Sequence, residues 1–299
     1  MAKKAGLSKD AVNYRIMNLE KAKIIQRYIT VVNLRKFNYR THILFFEFRK
    51  FDLEAEKKII DFLTGFPYCI WAASASGSWD IIVDVISNGT EKFDEISSNI
   101  LDSLGDNLKR YEFLETVKES YYNHKYLTGD KSNGDSSKEI SSEPDNTDFM
   151  ILKELSQNSR IKATEISRNI GISHDRVSYR IKKMLKSKII EQFTVLLDFS
   201  KIGYTYYYLF FKFNSLTKPT EKRIITFLKS RKEVLFFGKN AGKYNFNIDV
   251  IVENPLQLKD FINSLRSFTG DIIGSRESLL IFEQHKNDYF PQGIILDRN

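Results

Sequence analysis

The 299-residue chain has a single cysteine, Cys69, which excludes an intrachain disulfide and a thiolate zinc site. Its four histidines, His42, His124, His174 and His285, are not spaced as a ligand pair, so no metal is expected. No apolar run approaches the ~18–20 residues that a membrane span requires. The opening MAKKAGLSKD lacks the apolar stretch of a secretory signal. Neither a nucleophile–base motif nor a phosphate-cradling glycine loop is present. These absences predict a reduced, cytoplasmic protein with no cofactor and no membrane partner, and they give no support to an enzyme.

What is present is an ordinary globular composition, 42% hydrophobic and 28% charged. The length suggests about two domains. Lys and Arg number 46 against 38 Asp and Glu, a net charge of +8, which hints at a polyanionic partner.

The strongest signal is internal repetition. At a constant offset of 165, GLSKDAVNYRIMNLEKAKII (6–25) lies over GISHDRVSYRIKKMLKSKII (171–190). Residues 6–48 match 171–213 at 17 of 43 positions without a gap. The offset persists downstream: EKKIIDFL (56–63) meets EKRIITFL (221–228), and DVI (84–86) meets DVI (249–251). Between the copies, residues 128–147 are rich in Ser, Gly and Asp and read as a flexible linker. Met1 falls on Ile166 at this offset, so the first copy is expected to lack the opening helix of the second.

In the second copy, Phe149, Ile151, Leu152 and Leu155 form a helical stripe that Thr147 is expected to cap. A short helix follows over 164–170. Gly171 suits a left-handed helix end, and Ser173 suits the N-cap of a third helix over 174–187. Val177, Ile181 and Met184 mark the inner face of that helix, as Val12, Ile16 and Leu19 do in the first copy. This is the sequence form of a helix-turn-helix. The rest of each copy alternates as strand, helix, strand, strand, helix, strand, the ferredoxin-like order. Along 79–86, Trp79, Ile81, Val83 and Val85 are expected under the helices. Asp80, Ile82, Asp84 and Ile86 are expected against another sheet. In the second copy the corresponding faces are Tyr244, Phe246, Ile248 and Val250, and Asn245, Asn247, Asp249 and Ile251.

On the duplicated GLSxxxVxYRI motif, the βαββαβ order and the G-x-x-D element Gly77…Asp80, the chain resembles the Lrp/AsnC (feast/famine) family of transcription regulators, written twice. The resemblance implies an α+β fold of two tandem units. Each is a winged-type helix-turn-helix followed by a ferredoxin-like domain, the first helix-turn-helix being truncated. The expected boundaries are 1–27 for the partial helix-turn-helix and 28–127 for the first ferredoxin-like domain. They continue with the 128–147 linker, 148–192 for the intact helix-turn-helix, 193–290 for the second ferredoxin-like domain, and a 291–299 tail. The family binds double-stranded DNA, self-associates through its ferredoxin-like domains and often takes an amino-acid effector. This copy of its pattern departs from it where Asn245 stands opposite Asp80.

The charge supports a DNA partner. Residues 1–27 hold seven Lys/Arg against two Asp/Glu, and 148–192 hold ten against five, so each segment carries +5 and the remainder sums to −2. Recognition helices read bases from their N-terminal residues. Those are Lys9, Asp10, Asn13 and Tyr14 in the first copy, and His174, Asp175, Arg176, Ser178 and Tyr179 in the second. Asn13 suits adenine, and Asp10 or Asp175 suits cytosine, although either aspartate also stabilises the start of a helix. Arg15, Arg180, Lys182 and Lys183 are expected on phosphates, with an acidic partner inside the domain as the alternative for Arg15 and Arg180. The effector positions implied by the resemblance are Gly77, Asp80, Gly242 and Asn245. Two other readings are a sensing module without DNA binding and an enzyme like the siroheme decarboxylases, which resemble the family in architecture. The second is weakened because His42 and His124 are matched by Tyr207 and Tyr289.

Overall fold

The computed structural model describes residues 5–122, 124–128 and 143–298. The first copy contributes helix α1 (Lys9–Lys21), β1 (Ile25–Val32), β2 (Arg40–Phe48), α2 (Leu53–Gly65), β3 (Cys69–Ser76), β4 (Ile81–Ser87), α3 (Thr90–Leu104), β5 (Leu108–Tyr121) and the short α4 (Lys125–Thr128). The second contributes α5 (Asn146–Gln157), α6 (Ala163–Ile170), α7 (His174–Lys186), β6 (Ile190–Leu197), β7 (Thr205–Phe213), α8 (Lys218–Ser230), β8 (Val234–Ala241), β9 (Phe246–Val252), α9 (Pro255–Thr269), β10 (Ile273–Asn287) and α10 (Gln292–Leu296). Most of the linker expected at 128–147 lies outside the described residues, as do residues 1–4 of the first helix-turn-helix.

Within each copy the strands order as β3-β4-β2-β5 and β8-β9-β7-β10, all antiparallel. The two sheets then join edge to edge into a closed eight-stranded barrel. One seam pairs β5 with β8, Glu115 opposite Ala241, and the other pairs β10 with β3, Leu280 opposite Ser76. Both partners of the first pair map onto the second at the offset of 165. The bulge between Thr116 and Lys118 likewise recurs between Ile281 and Glu283. This is an isologous interface, the self-complementary contact of a twofold dimer, made here by one chain. Closure leaves neither sheet with a free edge at the seams.

The helix-facing sides of the sheets are apolar, as the alternation predicts. Leu44, Phe46, Ile81, Val83 and Val85 pack with Ile59, Leu63, Ile96 and Ile100 in the first copy. Leu209, Phe211, Phe246, Ile248 and Val250 pack with Ile224, Leu228, Phe261 and Leu265 in the second. The alternation does not extend to Trp79 and Tyr244, which precede the strands. Their rings lie 5.6 Å from Phe45 and 5.6 Å from Phe210, residues of the barrel interior. The break comes at Gly77 (φ +142°) and Gly242 (φ +128°). A Cβ at either would stand 2.6 Å from Leu279 or 2.7 Å from Leu114 on the opposite copy's strand. Only glycine lets these turns lie on the neighbouring sheet.

Strands β1 and β6 pair with each other in a separate two-stranded sheet, Ile25 opposite Leu197 and Val32 opposite Ile190. The expected boundary at 27/28 therefore falls inside a strand. Residues 291–299 are not a free tail over the described part. Ile294 is fully buried, and the Asp297 carboxylate accepts from the hydroxyls of Tyr39 (2.7 Å) and Tyr68 (2.6 Å) in the first copy.

Candidate nucleic-acid interface

Helices α5, α6 and α7 enclose Ile151, Leu152, Leu155, Ile166, Val177 and Met184, all buried. Local chemistry sets the turn. Gly171 closes α6 with φ +71°, and the Ser173 side chain accepts the Arg176 N–H at the start of α7. Gly6 (φ +63°) and Ser8, which accepts from Ala11, repeat this before α1. The cap of α5 is Asp145 rather than the expected Thr147. Asp145 and Asp148 form a reciprocal capping box, each carboxylate accepting the other's backbone N–H. Asp148 can reach back to the cap residue because it sits at the third helical position.

Burial of the inner stripe turns the predicted reading residues outward. His174, Asp175 and Arg176 are exposed, Ser178 is half-buried and Tyr179 is 65% exposed. On α1, Lys9, Asp10, Asn13 and Arg15 are exposed and Tyr14 is 66% exposed. The two helices are not equally seated. Helix α7 buries Val177 and Met184, whereas α1 has no buried residue and leaves Leu19 exposed.

Lys182 is exposed and Lys183 half-buried. Arg180 has a different environment: its side chain is only 16% exposed, and Nη1 contacts the Asp145 carboxylate and lies 3.3 Å from Asp148. The Asp145 partner pushes the guanidinium pKa up. Burial pushes the Asp145 carboxyl up, but the Asp148 N–H and Arg180 outweigh it and hold it below the usual range. Arg180 thus clasps α7 to the cap of α5, the intradomain pairing that was its alternative reading.

One cluster is not legible in the sequence. The Arg160 guanidinium lies 4.7 Å over the Tyr28 ring and 3.2 Å from Glu20 of α1, while Tyr28 donates to Glu20 at 2.5 Å. This cluster joins the second helix-turn-helix to the first copy. Glu20 and Tyr28 stand opposite Leu185 and Phe193 in the repeat, so polar departures from the duplicated pattern were its only trace.

The four positions expected to take an effector, Gly77, Asp80, Gly242 and Asn245, sit in the β3–β4 and β8–β9 turns. The Asp80 carboxylate accepts the Phe48 N–H at 2.8 Å. Asn245 both accepts from the Phe213 N–H and donates to the Phe213 carbonyl, each at 2.8 Å. Each side chain ties its turn to the end of the adjacent strand, and Gly77 and Gly242 seat the turns on the opposite copy. His42 is buried, stacked on Phe93 at 3.9 Å and bonded to Ser87; burial lowers its pKa to about 4. His124, also lowered by burial, bonds the Val195 carbonyl and the Tyr126 hydroxyl.

Residues 144–191 match the model of a winged helix-turn-helix DNA-binding family. An uncharacterized HTH-type transcriptional regulator of Pyrococcus abyssi is 30% identical over 145 residues, spanning 48% of this chain and 95% of that protein. The HTH-type transcriptional regulator LrpB of Bacillus subtilis is 27% identical over 146 residues, 48% of this chain and 93% of LrpB. Among solved structures, the siroheme decarboxylase NirDL aligns with 99% of this chain and 92% of its own, at TM-score 0.60 and 9% identity, a likeness of fold alone. With its helix-turn-helix and its relatives taken together, the chain belongs to the Lrp/AsnC family of HTH-type transcriptional regulators.

Proposed function

We propose that the chain binds double-stranded DNA as an intrachain pseudo-dimer, with α7 as the principal recognition helix and α1 as a weaker, diverged second one. The observation that carries this reading is the outward face of α7. His174, Asp175, Arg176, Ser178 and Tyr179 stand at the helix start, with Lys182 a turn or two on, inside the segment matched to a winged helix-turn-helix DNA-binding model. In α1 the corresponding reading set is Lys9, Asp10, Asn13 and Tyr14, with Arg15 for phosphate. Lys182 and Lys183 are the phosphate contacts of α7. Arg180 shapes the domain and reaches phosphate only as a secondary role.

Each βαββαβ copy is read as a ferredoxin-like domain, which the strand order β3-β4-β2-β5 and its repeat support. In this reading the domains begin at β2 and β7, after the helix-turn-helix segments and the β1–β6 ribbon, and provide self-association. A cytoplasmic location accords with a DNA partner. A small amino-acid effector would reach the protein at the turns of Gly77 and Asp80, and of Gly242 and Asn245. The enzyme reading has the fold likeness in its favour. Against it, His42 is sealed in a core contact and no Lys or Arg lines the aromatic-walled cavity at the barrel mouth, where a carboxylate-rich tetrapyrrole would need them.

Binding of the full chain to labelled duplexes over a salt series tests the proposal. A linear fall of log K with log salt, at ~0.9 per neutralised phosphate, is expected. Selection from genomic duplexes should then return a defined sequence. Absence of duplex binding at low salt, or a heme-type absorbance band on reconstitution with siroheme, would sink it.

A further inference from the structure

Beneath the β1–β6 ribbon, the mouth of the barrel holds a cavity of about 80 Å³. Its chemistry is one-sided. Two carboxyl side chains line it, Asp84 and Asp249, and no lysine or arginine does. They are the same residue in the two copies at the offset of 165, so one comes from each half of the barrel. Aromatic rings supply much of the remaining wall: Trp71, Tyr121, Tyr206, Tyr208 and Tyr289. The Trp71 and Tyr208 rings meet edge to face at 5.7 Å, and Tyr121 and Tyr289 at 5.3 Å, so the wall is a packed cage rather than loose side chains.

The two aspartates are equivalent in sequence but not in surroundings. Asp249 Oδ2 accepts from the Tyr206 hydroxyl at 2.7 Å. The position equivalent to Tyr206 in the first copy is Thr41, and Asp84 Oδ1 has no hydrogen-bond partner among the described residues. Its Oδ1 is sealed by neighbouring atoms, and the side chain lines the cavity. Burial raises both carboxyls, that of Asp249 to about 7, and Asp249 adds to the effect on Asp84. A buried carboxyl without a protein partner is costly to keep. Two buried carboxyls face this one aromatic-walled space; its basic side chain is His124, whose imidazole pKa burial lowers, so the pair forms a receptor for positive charge. A metal is disfavoured, because no group of three or more metal-ligating side chains occurs among the described residues. An anion meets two acids. An amino acid finds carboxyls for its ammonium but no lysine or arginine for its carboxylate.

We propose that this cavity binds a small organic amine, with its ammonium at Asp84 between the two aspartates and its body against the Trp71, Tyr121 and Tyr208 rings. Carboxylates satisfy the N–H donors, and ring faces attract the cation where water is excluded. The site is made by both halves of the chain together and lies apart from the Gly77 and Gly242 turns. It stands independently of DNA binding.

The test titrates the full-length chain with n-butylamine and phenethylamine, using phenylalanine and phenylacetate as controls, by calorimetry. The amines are expected to bind at least tenfold tighter than either control, and Asp84→Asn to weaken them at least tenfold. Because Asp84→Asn could disturb folding, a second reading uses the two tryptophans of the sequence. In Trp79→Phe, Trp71 is the sole tryptophan emitter, and amine binding must change its fluorescence saturably. The proposal is overturned if neither amine binds at millimolar concentration, if phenylalanine binds as well as phenethylamine, if folded Asp84→Asn binds unchanged, or if Trp71 emission does not respond.

Discussion

Phe45 and Phe210 touch each other across the barrel, ring centroids 4.9 Å apart at 77°, and they are the same residue of the two copies. A side chain that meets its own counterpart lies on the pseudo-twofold axis. Both are fully or almost fully buried. Truncating either to alanine is expected to cost ~3–5 kcal/mol. Because they share one contact, the double variant should cost less than the sum by ~0.5–1.5 kcal/mol. Denaturant unfolding of the four-member cycle measures this. Strict additivity would show that the two halves do not lean on each other here.

Arg180→Ala is expected to destabilise the second helix-turn-helix by ~1–3 kcal/mol, because Asp148 is buried and loses its cationic partner. Lys182→Ala with Lys183→Ala should leave thermal stability within ~0.5 kcal/mol and flatten the salt slope of duplex binding by ~0.9 per lost phosphate contact. Melting curves and a salt series on the same variants separate the roles. Equal melting temperatures for Arg180→Ala and the parent would contradict the clasp.

Asp249 sets a pH dependence whose sign can be worked out. Burial raises its carboxyl to about 7 in the fold, against ~3.9 unfolded. Between those values the folded chain keeps a proton that the unfolded chain has released. The stability contributed is therefore complete below pH ~4 and lost as pH rises through about 7. His42, lowered to about 4, acts oppositely: its contribution is lost as pH falls from ~6.5 toward 4. A comparison of parent and Asp249→Asn cancels the histidine. The variant should gain stability relative to the parent as pH rises from 4 to 7, and a flat difference would refute the assignment.

The bound DNA site should be an imperfect palindrome. Lys9 stands opposite His174, Ala11 opposite Arg176 and Asn13 opposite Ser178, all at helix starts, whereas Tyr14/Tyr179 and Arg15/Arg180 are kept. Each differing base contact is worth ~1–3 kcal/mol of discrimination. Asn13→Ala should relax one half-site only, as read by duplex selection. A strictly symmetric consensus, unchanged by Asn13→Ala, would mean that α1 reads no bases.

The duplication, the helix-turn-helix and the order of strands and helices along the chain were legible in the sequence because they rest on short-range rules. Gly171 and Ser173 punctuate a turn, Val177, Ile181 and Met184 keep helical period, and Ile81, Val83 and Val85 keep the period of two. A constant offset carries all of it from one copy to the other. What tertiary structure alone decided depends on which edges and side chains meet at long range. Closure of the two sheets into one barrel follows from β5 finding β8 and β3 finding β10. Nothing in either strand names its partner, since backbone hydrogen bonds are the same for every sequence. Arg180 could be assigned to Asp145 and Asp148 only once α5 was packed on α7. Asp84 and Asp249 read alike in the repeat. Their difference arose from Thr41 and Tyr206 on neighbouring strands, and the cavity they face exists only where both halves come together.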